Sequence, residues 1–201
     1  MLDYNLWFKE EFPILQENGL WSILPDTAYF LFQSVLEKKP KHILEYGSGI
    51  STAVMAKAIS QYGGKVYSLE HELKWLEKTQ KDCQDCGVEN YEVLYAPLVK
   101  SGLDGIAKYT IYDPAKIPPN KFEFVFIDGP PGFLPEHPGR RGTLYSCWAY
   151  LADQATIILD DADRKGEQEA MKEWLEVFGK KLKIKNIQLM RGMVEMEVRQ
   201  H

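Results

Sequence analysis

From His42 to Thr52 the chain runs His42-Ile43-Leu44-Glu45-Tyr46-Gly47-Ser48-Gly49-Ile50-Ser51-Thr52, a short apolar run that breaks into two closely spaced glycines. Read locally, this is a buried strand, a tight turn and the start of a helix. Gly47 and Gly49 lack Cβ, so the backbone can bend sharply and a ligand can come against it. The helix start offers unpaired N–H groups and a positive dipole end, which suits a nucleotide-like ligand. Glycine pairs after apolar runs also occur in ordinary turns, so the loop alone specifies nothing. About twenty residues further on, Lys65-Val66-Tyr67-Ser68-Leu69-Glu70 is a second short apolar run ending in a carboxylate. A parallel strand there would bring Glu70 beside the first turn as an acceptor for ribose hydroxyls.

Glu45-Tyr46-Gly47-Ser48-Gly49 followed by Glu70 resembles the first two motifs of class I S-adenosylmethionine-dependent methyltransferases, where one acidic residue precedes the glycine loop and another closes the second strand. Ser68-Leu69-Glu70-His71-Glu72, with Trp75 nearby, is similar to a small O-methyltransferase-like subgroup. The resemblance covers most of the chain. It implies S-adenosylmethionine as cofactor, held by Glu45, Gly47, Ser48, Gly49, Ser51, Thr52, Glu70, His71 and Asp128. His71, directly after Glu70, would lie near the adenine or face solvent at a helix start. The loop after the third strand, Ala96-Pro97-Leu98, would approach the adenine without the acidic residue often found there. The family's third glycine is Ser51 here, and Ser51 and Thr52 can donate hydroxyls or cap the helix instead. A nicotinamide-dependent oxidoreductase is the rival, but the third glycine of its fingerprint would fall at Thr52.

At 201 residues with 45% hydrophobic content, the chain can bury a sizeable core in one domain. The expected division is a helical cover over 1–40 on a cofactor-binding domain over 41–201. A formal net charge of -5 opposes a broad nucleic-acid footprint, leaving Arg140-Arg141 as a local basic patch. Asp128-Gly129-Pro130-Pro131 fails to match the Asp-Pro-Pro-aromatic motif of nucleic-acid amino-methylating enzymes, because Gly129 intervenes and Gly132 occupies the aromatic position. The start lacks a basic segment followed by an apolar one, and no long apolar span occurs, so a cytoplasmic location is expected. Cys83 and Cys86 form a lone Cys-x-x-Cys without a second pair, and Cys83 reads as a small core residue beside Leu73 and Leu76 on a helix over 72–86.

Apolar runs at 43–46, 66–69, 91–95, 122–127 and 155–159 fit parallel strands covered on both faces. Segments 51–60, 143–151 and 166–178 fit helices between them, and Pro25-Asp26-Thr27 starts another with Phe30, Leu31, Val35 and Leu36. At the C-terminus Ile187 and Leu189 alternate with polar residues, Arg191-Gly192 turns, and Val194, Met196 and Val198 alternate with glutamates. So short a connection joins antiparallel strands. The fold expected is α/β, doubly wound, with a mostly parallel seven-stranded sheet and a C-terminal antiparallel hairpin, as the class I methyltransferases have.

Chemistry gathers at the carboxyl ends of such strands. The run 122–127 delivers Asp128 to a proline-rich loop, and 155–159 delivers Asp160 and Asp161. In catechol-type O-methyltransferases an Asp after the fourth strand and an Asp-Asn pair after the fifth bind a divalent cation. Asp128, Asp160 and Asp161 resemble that set, with Asp161 where the family has Asn, and hard oxygen donors of this kind suit Mg. Without a metal, Asp128 can accept the nucleophile's proton or hold the amino group of the methionine moiety; three carboxylates without a cation repel unless one is protonated. Segment 128–139, with four prolines, reads as a lid. His137 is a candidate proton acceptor and Arg140 a clamp for an anion, each weighed against a solvated surface role.

The activity implied is methyl transfer to a small-molecule acceptor, O-methylation included; a non-catalytic binding module is the alternative. Tyr4, Trp7 and Phe8 are placed either at a homodimer interface or against the sheet.

Overall fold

The computed structural model describes residues 2–15, 22–102, 106, 109–132 and 139–199. Two helices precede the sheet. Asp3 caps α1 (Tyr4–Glu11) by accepting the Asn5 and Leu6 N–H groups at 3.0 and 3.1 Å. Pro25, whose fixed φ suits a first helical turn, opens α2 (Pro25–Lys38). Trp7 and Phe8 turn inward, Trp7 edge-on to Tyr29 and Phe32 and Phe8 stacked on Phe12, while Tyr4 stays 39% exposed.

The sheet begins with β1 (His42–Tyr46), crosses by α3 (Ile50–Ser60) to β2 (Lys65–Glu70), and by α4 (Leu73–Asp85) to β3 (Tyr91–Tyr95). A small antiparallel pair, β4 (Leu98–Lys100) with β5 (Thr110–Tyr112), stands in the long crossover back to β6 (Phe122–Ile127). Then come α5 (Thr143–Cys147), β7 (Leu151–Asp160), α6 (Lys165–Phe178), β8 (Leu182–Ile187) and β9 (Met193–Val198). The strand order is β3-β2-β1-β6-β7-β9-β8, with β9 antiparallel to both neighbours. This is the seven-stranded, mostly parallel α/β sheet with a terminal hairpin that the motifs imply. The chain leaves β1 in one direction and returns to its other side with β6, so the carboxyl ends of β1 and β6 flank the topological switch point.

Both faces of the sheet are covered. Phe124 and Phe126 join the apolar cluster under α2 and α3, whereas Phe122, Val125 and Ile127 join the cluster under α5 and α6. A strand buried on both sides needs an unbroken apolar run, which is why β6 does not alternate in sequence. Trp174, fully buried on α6, donates its Nε1–H to the Arg141 carbonyl at 2.7 Å. Burying such a side chain is worth roughly 3 kcal/mol. Cys83 is wholly buried in the first cluster, as read from sequence, but Leu73 is 56% exposed at the head of α4.

The hairpin departs from its expected outline. β8 ends at Ile187, and Leu189 lies in the connection rather than in the strand. The reason is tertiary: Met190 N–H is drawn to Asp26 Oδ2 at 2.8 Å, and Leu189 packs against the α2 and α3 cluster. β7 is also longer than 155–159 and carries a register irregularity opposite Phe122 and Phe124, where Gln154 takes φ +61. Among the described residues no helix is long and apolar enough to cross a membrane.

Candidate active site

The glycine turn is built from beneath. Gly47 takes φ +89, a left-handed conformation, and a Cβ there would lie 3.2 Å from Gly129 N. The turn after β1 is therefore pressed against the turn after β6. Below it, Glu45 is wholly buried and accepts from Thr52 Oγ1 at 2.5 Å and from Ser68 Oγ. Thr52 Oγ1 in turn accepts the Gly49 N–H at 3.2 Å, tying the loop to the helix start. Burial pushes Glu45 up to about 7, against the Ser51, Ser68 and Thr52 hydroxyls. Glu45 and Thr52 thus brace the loop from behind. The cleft wall is formed by Gly47, Ser48, Gly49 and Ser51, while Glu45 and Thr52 lie behind the loop they support.

Glu70 closes β2 on the cleft wall and is only 4% exposed. Its Oε1 accepts the His71 and Glu72 N–H groups at 2.7 and 2.9 Å; its Oε2 accepts Ser48 N–H at 3.1 Å and Ser48 Oγ at 3.2 Å. Burial alone would raise this carboxyl, but His71 and the Glu72 and Ser48 amides outweigh it and hold it below the ordinary range. Ser48 Oγ lies equally close to Thr79 Oγ1, at 3.0 Å, and so has somewhere else to point. His71 lines the cleft with Nδ1 3.1 Å from Glu70 Oε1, and its ring meets Tyr112 edge-on.

Across the switch point, Asp128 follows β6, Asp160 ends β7 and Asp161 stands beside it with φ +53. One ligand oxygen from each can be chosen so that all lie within 4.8 Å of one another. The three acids are brought together as the sequence indicated, yet they surround Arg140. That side chain is 3% exposed, with Nη2 at 2.7 Å from Asp128 Oδ1 and 2.9 Å from Asp161 Oδ2. Its Nη1 donates to the Asp160 carbonyl, and Nε lies 3.7 Å from Glu167 Oε1. Arg164 adds a second guanidinium to Asp161 Oδ2 at 2.9 Å. The divalent ion implied by the resemblance does not fit: a guanidinium already bridges two of the three carboxylates. This also corrects the solvated surface role weighed for Arg140.

The inward turn of Arg140 has a local cause. It follows Gly139, which has φ +71, and a Cβ on Gly132 would lie 2.8 Å from Gly139 Cα. The two ends of the proline-rich loop are pinched together, and the short 3₁₀ turn Gly139–Gly142 faces Arg140 to the acids. Burial, opposed by Arg140, pushes Asp128 above the ordinary carboxylate range; burial with the Asp128 and Asp161 charges does the same to Asp160. Asp128 is the accessible one, its side chain 25% exposed against 4% for Asp161. His137 lies outside the described residues.

These elements enclose a cleft with about 1080 Å³ of empty volume, open solvent included. Several of its residues have no counterpart in the expectations. Lys78, Thr79 and Asp82 come from one face of α4, a polar stripe at helical spacing that could have signalled it, beside the Trp75 that the resemblance already included. Tyr112 arrives from β5, whose position in a long crossover leaves no sequence trace. It pairs with Leu98; the Ala96-Pro97-Leu98 segment runs straight into β4, and Ala96 is fully buried. Arg164 and Arg191 complete the rim.

No protein-family model and no curated protein matches this chain. Solved structures do. An O-methyltransferase from Bacillus cereus in complex with SAH is 16% identical, with TM-score 0.68 over 98% of this chain and 100% of that one. The SAH-bound methyltransferase PaMTH1 from Podospora anserina is 13% identical, with TM-score 0.66 over 99% of this chain and 89% of that one. TomG from Streptomyces achromogenes, an O-methyltransferase of tomaymycin synthesis solved with SAM, is 16% identical, with TM-score 0.65 over 99% and 100%. At such identities the likeness establishes the fold: the chain is built on the class I methyltransferase architecture.

Proposed function

We propose that this chain is an S-adenosylmethionine-dependent methyltransferase acting on the hydroxyl of a small molecule. The observation that carries the reading is Glu70. It is an ionised carboxylate, fixed by three main-chain N–H groups, on the cleft wall beside a glycine turn at the switch point of the sheet. The SAH and SAM bound in structures of the same fold support this choice of cofactor over a nicotinamide.

S-Adenosylmethionine, when bound, supplies a methyl group on a sulfonium that departs as a neutral thioether. The protein's part is binding, orientation and management of one proton. Glu70 Oε2 would accept a ribose hydroxyl, with Ser48 Oγ turning to Thr79 Oγ1. Gly47 lets the ligand lie against main chain, and Ser48, Gly49 and His71 line the wall beside it. Asp128 lines the same cleft and would take the proton released by the acceptor hydroxyl. Its raised affinity for protons suits a base working near neutral pH. Arg140 keeps Asp128 aimed without touching the reacting atoms.

Titration calorimetry tests the cofactor assignment. S-adenosylhomocysteine should bind saturably, and Glu70→Ala should weaken it by roughly tenfold to a hundredfold, the worth of a hydrogen bond to a charged group. Heat from a nicotinamide coenzyme but none from S-adenosylhomocysteine would overturn the proposal. Multiple-turnover transfer of labelled methyl to a panel of phenols and other hydroxyl compounds separates an enzyme from a binding module.

A further inference from the structure

We propose that Arg140 is the resident cation of the acid cluster, its guanidinium taking the place that a divalent ion takes among such carboxylates, so that no metal binds there. The geometry is that of a bridge. A single nitrogen, Nη2, meets Asp128 Oδ1 at 2.7 Å and Asp161 Oδ2 at 2.9 Å, joining carboxylates that arrive from two different strands. Of the other two nitrogens, Nη1 donates to the Asp160 carbonyl, and Nε, which makes no hydrogen bond, lies 3.7 Å from Glu167 Oε1.

Three properties make this cation permanent. A guanidinium stays charged at any pH the protein meets, so it cannot vacate its role by losing a proton. The side chain is 3% exposed, and the pinch of Gly132 against Gly139 behind it holds the turn that points it inward. Asp161 Oδ2 is shared with Arg164 at 2.9 Å, so one oxygen already carries two positive partners. A doubly charged ion within about 4 Å of this buried guanidinium would meet repulsion that the surroundings screen weakly. Asp160 Oδ1 and Asp161 Oδ1 meet no side-chain donor among the described residues. They are buried oxygens still open to an ion, and removing Arg140 adds Asp128 Oδ1 and Asp161 Oδ2 to them.

Ion binding can be read with no methyl donor or acceptor present, so the test is independent of the methyl-transfer reading. Free Mn²⁺ is followed by electron paramagnetic resonance as protein is titrated in. The wild type is expected to leave the free-ion signal unchanged. Arg140→Ala is expected to deplete it saturably, and Asp161→Asn added to that variant should abolish the depletion. If circular dichroism shows that Arg140→Ala has not folded, Arg140→Gln, which is shorter and uncharged but fills part of the space and still offers an amide donor, carries the same expectation. Saturable binding by the wild type that is lost in Asp160→Asn or Asp161→Asn overturns the proposal, as does a folded Arg140 variant that ignores the ion.

Discussion

The two ends of the cleft hold carboxylates by opposite means. At the glycine loop, Glu70 is held by amide dipoles and a serine hydroxyl and keeps its charge below the ordinary pH range. At the acid cluster, three carboxylates and the Asp160 carbonyl share one guanidinium, a second guanidinium meets Asp161, and burial drives both Asp128 and Asp160 to higher pKa. Main-chain donors bring no competing acids with them, so the group they fix stays ionised and serves as an acceptor. Buried acids sharing too little positive charge hold protons strongly, so one that reaches solvent can take up a proton during a reaction. In the proposed function the difference separates a binding end from a proton-handling end.

The sharpest way to break that contrast is Asp128→Asn. The amide keeps the shape and cannot accept the acceptor's proton, so the transfer rate in a single turnover should fall by roughly a hundredfold to ten-thousandfold. S-adenosylhomocysteine affinity, measured by calorimetry, should hold. Wild-type turnover should rise with pH along an acid limb lying above the ordinary carboxylate range, because Asp128 must be ionised to act and burial raises its pKa. A rate unaffected by the substitution would remove Asp128 as the base.

Arg140→Ala attacks the same end through stability. It leaves buried acids without their main counter-charge, which costs about 3 to 5 kcal/mol when one partner of a buried pair is removed. Urea unfolding should report it, and the loss should exceed that of Arg141→Ala. The pair also shows how far sequence reached. Arg140 and Arg141 are adjacent in a glycine- and proline-rich stretch and look alike as a solvated basic patch. Arg141 does turn out to Glu169, while Arg140 turns in, and only the approach of Gly132 to Gly139 decides between them. The binding end was legible because Gly47, Ser48 and Glu70 sit in a strand-turn-helix pattern whose chemistry is largely main-chain. The strands of the seven-stranded sheet were legible for the same local reason, whereas the β4–β5 pair was not. Tyr112 and the 188–192 connection were not, since their positions depend on partners such as Leu98 and Asp26 that no periodicity relates to them.

Glu45 sharpens the comparison from beneath the binding end. It is wholly buried with its pKa raised from 4.5 to about 7, so the folded protein holds its proton more strongly than the unfolded chain. The stability this confers is complete below about 4.5 and is lost as pH rises through about 7. At 1.36 kcal/mol per unit the swing is on the order of 3 kcal/mol. Glu45→Gln, which cannot ionise, should flatten the decline of unfolding free energy between pH 5 and pH 8 by about that amount. A parallel decline in both proteins would show that Glu45 titrates normally and does not strain the loop.

The smallest effect tests whether the binding end is as ready as its hydrogen bonds imply. In the free protein Ser48 Oγ occupies Glu70 Oε2 at 3.2 Å, yet Thr79 Oγ1 is available to it at 3.0 Å. A ligand diol must displace that hydroxyl, and the exchange costs little if Thr79 receives it. Ser48→Ala removes the competitor while leaving the Ser48-position N–H on Glu70, so S-adenosylhomocysteine affinity should change by less than about 1 kcal/mol, the net worth of one neutral hydrogen bond. Thr79→Val removes the alternative partner instead and should weaken binding by a similar small amount, because the displaced hydroxyl then has no acceptor there. The two substitutions combined should be no worse than Ser48→Ala alone, since Thr79 acts only through Ser48. A full additive loss in the double variant would mean that Thr79 meets the ligand directly, and the binding end would then extend onto α4.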